Sequence, residues 1–219
     1  MLVVTTPPSS TNLVTTIDVE LELNDLPSFD SNFAFNYIIP SASAAIANYC
    51  NRDFALTGYT ETFRTRPPGG YSSTAQAKLM LSRCPVVTVT SITEGTDSPL
   101  VAGTDYEFDT ETGFVYRLNG ADSRRDWTAP KITVVYTAGF VLPSESGGSY
   151  LTTTSTLPDD VWRAAILLCR DWYLARSRDV TMRSITLDGA AVTLGTGNPG
   201  TVLPAHVEAL LSPWKLAVL

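Results

Sequence analysis

One stretch limits the possible folds more than any other: residues 157–179, LPDDVWRAAILLCRDWYLARSRD. Pro158, Asp159 and Asp160 open it as a helix, because proline gives up an amide that has no partner there and carboxylates face the positive end of the helix dipole. Val161, Ala164, Ala165, Leu168, Trp172 and Ala175 recur at three- and four-residue steps as one apolar stripe. Trp162, Ile166, Cys169 and Tyr173 widen that stripe beyond what a solvent-facing helix needs. Arg170, Arg176 and Arg178 fall toward the end, where cations meet the negative pole. Such a helix must be packed on more than one side, so it is the predicted hub of the core. Trp172 is expected to be a buried ring, worth about 3–5 kcal/mol on truncation to alanine.

The remaining chain supplies its partners. Residues 1–12 are polar, carry Pro7 and Pro8, and are expected to form an extended arm. Thr15 and Thr16 cap a helix over 17–26 bearing Val19, Leu21 and Leu23, and Pro27 stops it. A second helix is predicted over 31–51, with Phe35, Ile38, Ile39, Ala42, Ala45, Ile46 and Tyr49 on its apolar face and Pro40 kinking or restarting it. From Phe54 the period drops from about 3.6 to 2. Strands are predicted over 59–64, 78–83, 85–93, 105–109, 114–118 and 131–137, with turns at 67–70 and at Thr112 and Gly113. The fold class is α+β: a small helical bundle with an inserted antiparallel β-sheet and an extended C-terminal tail. Helices occupy 13–56, the β insertion 57–142, the core helix 157–179 and the tail 189–219.

Composition excludes several functions. Apolar residues make up 44% and charged residues 17% of the 219, with a net charge of −7, the balance of a soluble globular protein that does not grip nucleic acid through its whole surface. Only Lys78, Lys131 and Lys215 among the 15 cations are lysines, and the arginine excess favours interfaces with flat, bidentate ion pairs. Cys50, Cys84 and Cys169 lack CxxC spacing and read as reduced core residues of a protein made in the cytosol. The N-terminus has no signal-peptide pattern, and no apolar run is long enough to span a membrane.

Chemistry is sparse. Ser/His/acid hydrolysis needs a histidine to carry the proton, and the single one, His206, lies in a Gly- and Pro-rich tail where a satisfied or exposed role is expected. Asp105, Glu107, Asp109 and Glu111 are spaced by two and would share one face of a strand. They lack the EF-hand spacing and read as a solvated acidic face. Gly195 and Gly197 form a bare GxG with no preceding strand. The pair Arg124 and Arg125, and the set Arg176, Arg178 and Arg183, read as ion-pair partners rather than phosphate ligands. No catalytic residue, cofactor site or metal site is assigned. Tyr59, Tyr71, Tyr106 and Tyr116 leave open a binding module with an aromatic platform on its sheet.

The C-terminus carries the strongest expectation about partners. Leu203, Val207, Leu210, Leu211, Trp214 and Leu216 form an apolar ending after a Gly-rich connector, with little chain around it for burial. It is predicted to be a docking arm, such that deleting 200–219 leaves a folded chain that no longer assembles.

Three segments together resemble a known family: the early helices ending in SAAIANYCNRDF, the strand LSRCPVVTVTSITEG leading into DYEFDTETGFVYRL, and ITVVYTAGFVLP followed by LPDDVWRAAILLCRDWYLARSRD. Over roughly residues 13–189 the chain is similar to the head–tail connector (adaptor, or head-completion) proteins of tailed bacteriophages and related gene-transfer particles. The resemblance implies a non-enzymatic virion protein of the neck, made in the host cytoplasm, assembling with copies of itself as a ring, commonly a dodecamer. Its implied neighbours are the portal protein, a stopper or tail-terminator protein, and DNA that passes without specific binding; no membrane is involved. On that reading the acidic set 105–111 faces the channel and the C-terminal apolar residues dock on the portal or a neighbouring subunit. A stopper or tail-terminator of the same particle is the alternative, and a β-rich binding module the alternative from another class.

Overall fold

The computed structural model describes residues 1–23, 29–64, 76–120, 123–143, 154–176, 184–187, 190–193 and 203–216. The chain divides into a β unit, Met1–Ser9 with Ala55–Phe140, and a helical unit, Ser10–Phe54 with Val141–Leu219. The mixed α+β class is as the residue periods predict.

The β unit contains β1 (Leu2–Thr6), β2 (Thr57–Arg64), β3 (Leu79–Met80), β4 (Val86–Glu94), β5 (Tyr106–Phe108), β6 (Phe114–Leu118), β7 (Arg124–Arg125) and β8 (Lys131–Ala138). One sheet runs β1-β2-β8-β4, and a second runs β3-β6-β5 with β7 also on β6, all antiparallel. β8 shows why the strands form: Ile132, Val134, Tyr136 and Ala138 are buried, and the residues between them are not. That alternation is the signature of a strand with one covered face. Tyr59 of β2 sits opposite Tyr136, their rings 5.6 Å apart, and Leu79, Val115 and Trp127 join them in the core. Residues 2–6 are therefore not a free arm but a strand, because extended, β-branched LVVTT can pair with β2. Gly58 makes room for it: a Cβ there would lie 3.0 Å from the Thr6 Cβ. The strand expected over 78–83 shortens to Leu79–Met80, since from Ser82 the chain turns its amide to the Glu61 carboxylate instead.

The helical unit contains α1 (Thr16–Glu22), α2 (Ser31–Phe33), α3 (Ile39–Cys50), α4 (Asp159–Ala175) and α5 (Ala205–Leu211), with a π-helical turn, Ala34–Ile38, joining α2 to α3. Thr15 starts α1 through a capping box with Asp18. The π turn has a sequence cause. Pro40 has no N–H for the Asn36 carbonyl, and the backbone widens by one residue just ahead of it, with the Ile39 amide reaching back to Ala34. α4 is the hub, with α1, α3, the π turn and α5 all packed on it. Val161, Ala164, Ala165, Ile166, Leu168, Cys169 and Tyr173 are its buried residues. Trp172 is a correction: it is half-buried, and Tyr173 holds the core position expected for it. The turn at 67–70, Tyr71, Arg178, Arg183, Gly195 and Gly197 lie outside the described residues.

Two further elements lie on either side of residue 189, where the extended tail is expected to begin. β9 (Ser184–Leu187) and β10 (Ala190–Thr193) form a two-stranded antiparallel hairpin that pairs with no other strand among the described residues.

Candidate functional site

The spacing by two predicts one solvated strand face for the acidic set. β5 covers only three residues, so Asp105 and Asp109 flank the strand rather than lie in it. Asp105 accepts a 2.9 Å hydrogen bond from the Val101 amide and pairs with Arg117 at 3.4 Å. Those contacts, the amide first and Arg117 next, hold its carboxyl below the usual aspartate range. Glu107 pairs with Arg124 at 2.6 Å. Asp109 closes the β5–β6 turn by accepting from the Glu111 amide at 2.9 Å, and its pKa is lowered by hydrogen bonds from Thr112 and Glu111. Glu111 is exposed. Two of the four carboxylates thus answer arginines of the same sheet.

Arg117 is the residue the set is arranged around. Alternation in FVYRL puts it on the covered face beside Val115, and it is 6% exposed. Glu94 and Asp105 each lie 3.4 Å away, the Leu118 carbonyl accepts at 3.2 Å, and the Trp127 ring centroid is 5.9 Å from the guanidinium. A cation in the middle of an alternating strand was the available signal, and sequence reasoning passed over it. Glu61 makes a second buried polar group. It accepts from the Ser82 amide at 3.0 Å, from the Ser82 hydroxyl, and from Tyr136 Oη at 3.0 Å. Burial, and then the Glu61 carboxylate, raise the Tyr136 pKa far above its ordinary value.

The C-terminal residues are not an exposed arm over the described range. Leu203, Val207 and Leu211 are buried, with α5 packed on α4. Leu210 and Trp214 are half-buried and Leu216 is 44% exposed. The Leu216 amide donates to the Cys50 carbonyl at 2.9 Å, closing the C-terminal end of α3, and Lys215 Nζ lies 4.6 Å over the Tyr49 ring. The apolar spacing is that of a helix face, and its partner is the hub helix, whose wide stripe needed one more cover.

The other candidates also find structural positions. His206 Nε2 lies 3.2 Å from Asp171 Oδ2, half exposed, and no hydroxyl or thiol is hydrogen-bonded to it among the described residues. Tyr59 and Tyr106 are buried, and Tyr116 carries the Arg124 guanidinium 3.7 Å over its ring, so these three make no open stacking platform. Cys50 and Cys169 are buried free thiols whose pKa values burial raises to about 11 and about 12. No group of three or more His, Cys, Asp or Glu is placed to hold a metal ion among the described residues. Also among them, no helix is long and apolar enough to cross a membrane.

A β unit with two antiparallel sheets, and a helical unit centred on one helix, hold buried charges but no assembled reaction centre among the described residues. The chain belongs to the head completion protein family, whose model matches residues 15–217. Solved structures share the fold over the whole chain. It aligns with a chain in the neck of an empty gene transfer agent (GTA) particle computed with C6 symmetry at 19% identity and TM-score 0.54, covering 100% of this chain and 97% of that one. A chain in the virion of a native GTA particle gives 20% and 0.54, and one in the neck of a native GTA particle computed with C12 symmetry gives 22% and 0.52, with the same coverage. No curated protein matches the chain.

Proposed function

We propose that the protein is a structural component of the virion neck, a head–tail adaptor that forms a ring under the portal, extends the DNA channel and joins the capsid to the stopper or tail. The observation that carries this reading is membership of the head completion family over residues 15–217. Fold similarity to neck chains, in particles averaged with C6 and C12 symmetry, supports a ring of copies. The polar groups that would attract a catalytic reading are occupied in holding the fold together: Arg117 by Glu94 and Asp105, and Glu61 by Ser82 and Tyr136. The role is mechanical, not enzymatic.

Passage of DNA without sticking needs like charge and no basic cluster, and the net charge of −7 meets that need. Asp109 and Glu111 are the members of the acidic set that no arginine answers among the described residues, so they carry the channel-facing part of the proposal. Docking on the portal falls to the exposed end of the C-terminal segment at Leu216, with Leu210 and Trp214 as half-buried neighbours. Mixing the purified chain with tail-less, portal-bearing capsids and sedimenting the particles tests the reading. Co-sedimentation without any stopper protein is expected. Binding that requires the stopper or the tail tube instead identifies a stopper or tail-terminator.

A further inference from the structure

We infer that neighbouring copies join by strand addition, the open edge of β1 in one subunit taking the β9–β10 hairpin of the next. This rests on the ring reading above and says which two surfaces make the ring contact.

The four-stranded sheet has two outer strands, and only one of them is covered. On β4 the Val86 amide donates to the Thr110 carbonyl at 2.7 Å and the Ile92 carbonyl accepts from the Leu100 amide at 2.8 Å, so loops of the same chain occupy that edge. β1 pairs with β2 alone, and no described residue bonds its far side. Sheet edges left open in soluble proteins are normally blunted by lysine, by proline or by an inward-pointing charge. LVVTT has none of these. Val3 and Val4, at adjacent positions and so on opposite faces, are 46% and 54% exposed. A bare, β-branched edge of five residues is a template for another strand.

The same chain holds a strand pair without a sheet. Among the described residues β9 and β10 pair only with each other, and a lone two-stranded hairpin is marginal in water. Their sequences, SITL and AAVT, are uncharged, and the register sets Ile185 opposite Val192 and Leu187 opposite Ala190. Against β1, such a hairpin brings neither like charge nor a missing donor from proline.

Symmetry selects the arrangement. A closed ring needs two different, complementary surfaces per subunit, one given and one received, whereas β1 pairing with β1 would stop at a dimer. One open edge and one unpaired hairpin per chain meet that requirement. The resulting sheet runs through the subunit boundary as six strands, four from one copy and two from the next.

Two measurements on the full-length protein test this. Hydrogen exchange of the wild type, as assembled ring and as dilute monomer, should show amides of 2–6 and 184–193 slowed together on assembly by at least about tenfold. Mixed rings of Val3→Cys and Thr186→Cys chains, or of Val4→Cys and Ser184→Cys chains, should give a covalent dimer on oxidation that wild-type rings lack. A ring that forms with neither the slowing nor the cross-link overturns the inference and leaves the ring reading intact. Slowing at β1 with the hairpin unchanged gives β1 a different partner and also overturns it. A chain that stays monomeric at every concentration removes the ring reading and this contact with it.

Discussion

Arg117 shows how much of this fold depends on single polar residues. Its guanidinium, itself buried, sits between Glu94 and Asp105 on the covered face of β6. Arg117→Ala leaves Glu94 uncompensated and should cost about 3 kcal/mol, read as a lowered denaturation midpoint; Arg117→Lys should recover part of it. An unchanged midpoint for Arg117→Ala would mean the pair carries no net weight. The thiols give a second residue-scale expectation. Cys50 and Cys169 are buried and Cys84 is only partly so. A thiol reagent near neutral pH should label Cys84 first, with all three reacting in denaturant. Sign and pH window follow from the raised pKa values. Cys50 and Cys169, at about 11 and about 12, hold their protons in the folded state above the pH at which an unfolded thiol loses them. Their contribution is full below about pH 8.5 and falls as pH rises through 11–12, so stability should decline on that alkaline limb. A melting temperature flat from pH 8 to 11 would contradict this.

Among the elements, α4 was legible because its apolar stripe is too wide for a surface helix, and the strands were legible because Ile132, Val134, Tyr136 and Ala138 alternate without a break. What the sequence hid has physical reasons. Trp172 and Tyr173 are neighbours on the helix, and the stripe alone does not say which ring faces the core. The structure chooses Tyr173, which packs on Phe29 at 5.2 Å and whose hydroxyl accepts from the Asp30 amide at 2.7 Å. Tyr173→Ala should therefore destabilise more than Trp172→Ala, at about 3 kcal/mol or above, and the reverse order would return Trp172 to the core. Burial of Leu203, Val207 and Leu211 was hidden because helical spacing identifies an apolar face without naming its partner. Deleting 200–219 is now expected to uncover α4 and yield an aggregating chain, in place of the folded, assembly-deficient one expected from a free arm. A soluble truncation with unchanged helical circular dichroism would restore the arm. Glu22 clamps α1 to α4 through Arg163 at 2.7 Å and Arg170 at 3.1 Å, and the Arg163 hydrogen bond leads in lowering its pKa. This clamp contributes fully above the ordinary glutamate pKa and is lost as pH falls on through the lowered one.

At the scale of the whole molecule, the buried Arg117–Glu94 pair of the β unit, an acidic balance and an unblunted sheet edge fit the proposed part held by other copies. The acidic balance predicts that the full chain leaves the anisotropy of labelled duplex DNA unchanged even at low salt; a rise that salt abolishes would identify a basic DNA-binding face. Family membership and the recurrent neck structures give the account its central claim, that this chain is a ring subunit at the head–tail junction. Averaged cryo-electron microscopy of portal-bearing capsids, with and without the purified chain, tests that claim most directly. The account predicts one added ring of density, coaxial with the portal and on its outer side, into which copies of this fold can be placed. Capsids whose portal vertex is unchanged while the chain decorates the shell, or remains unbound, would contradict it.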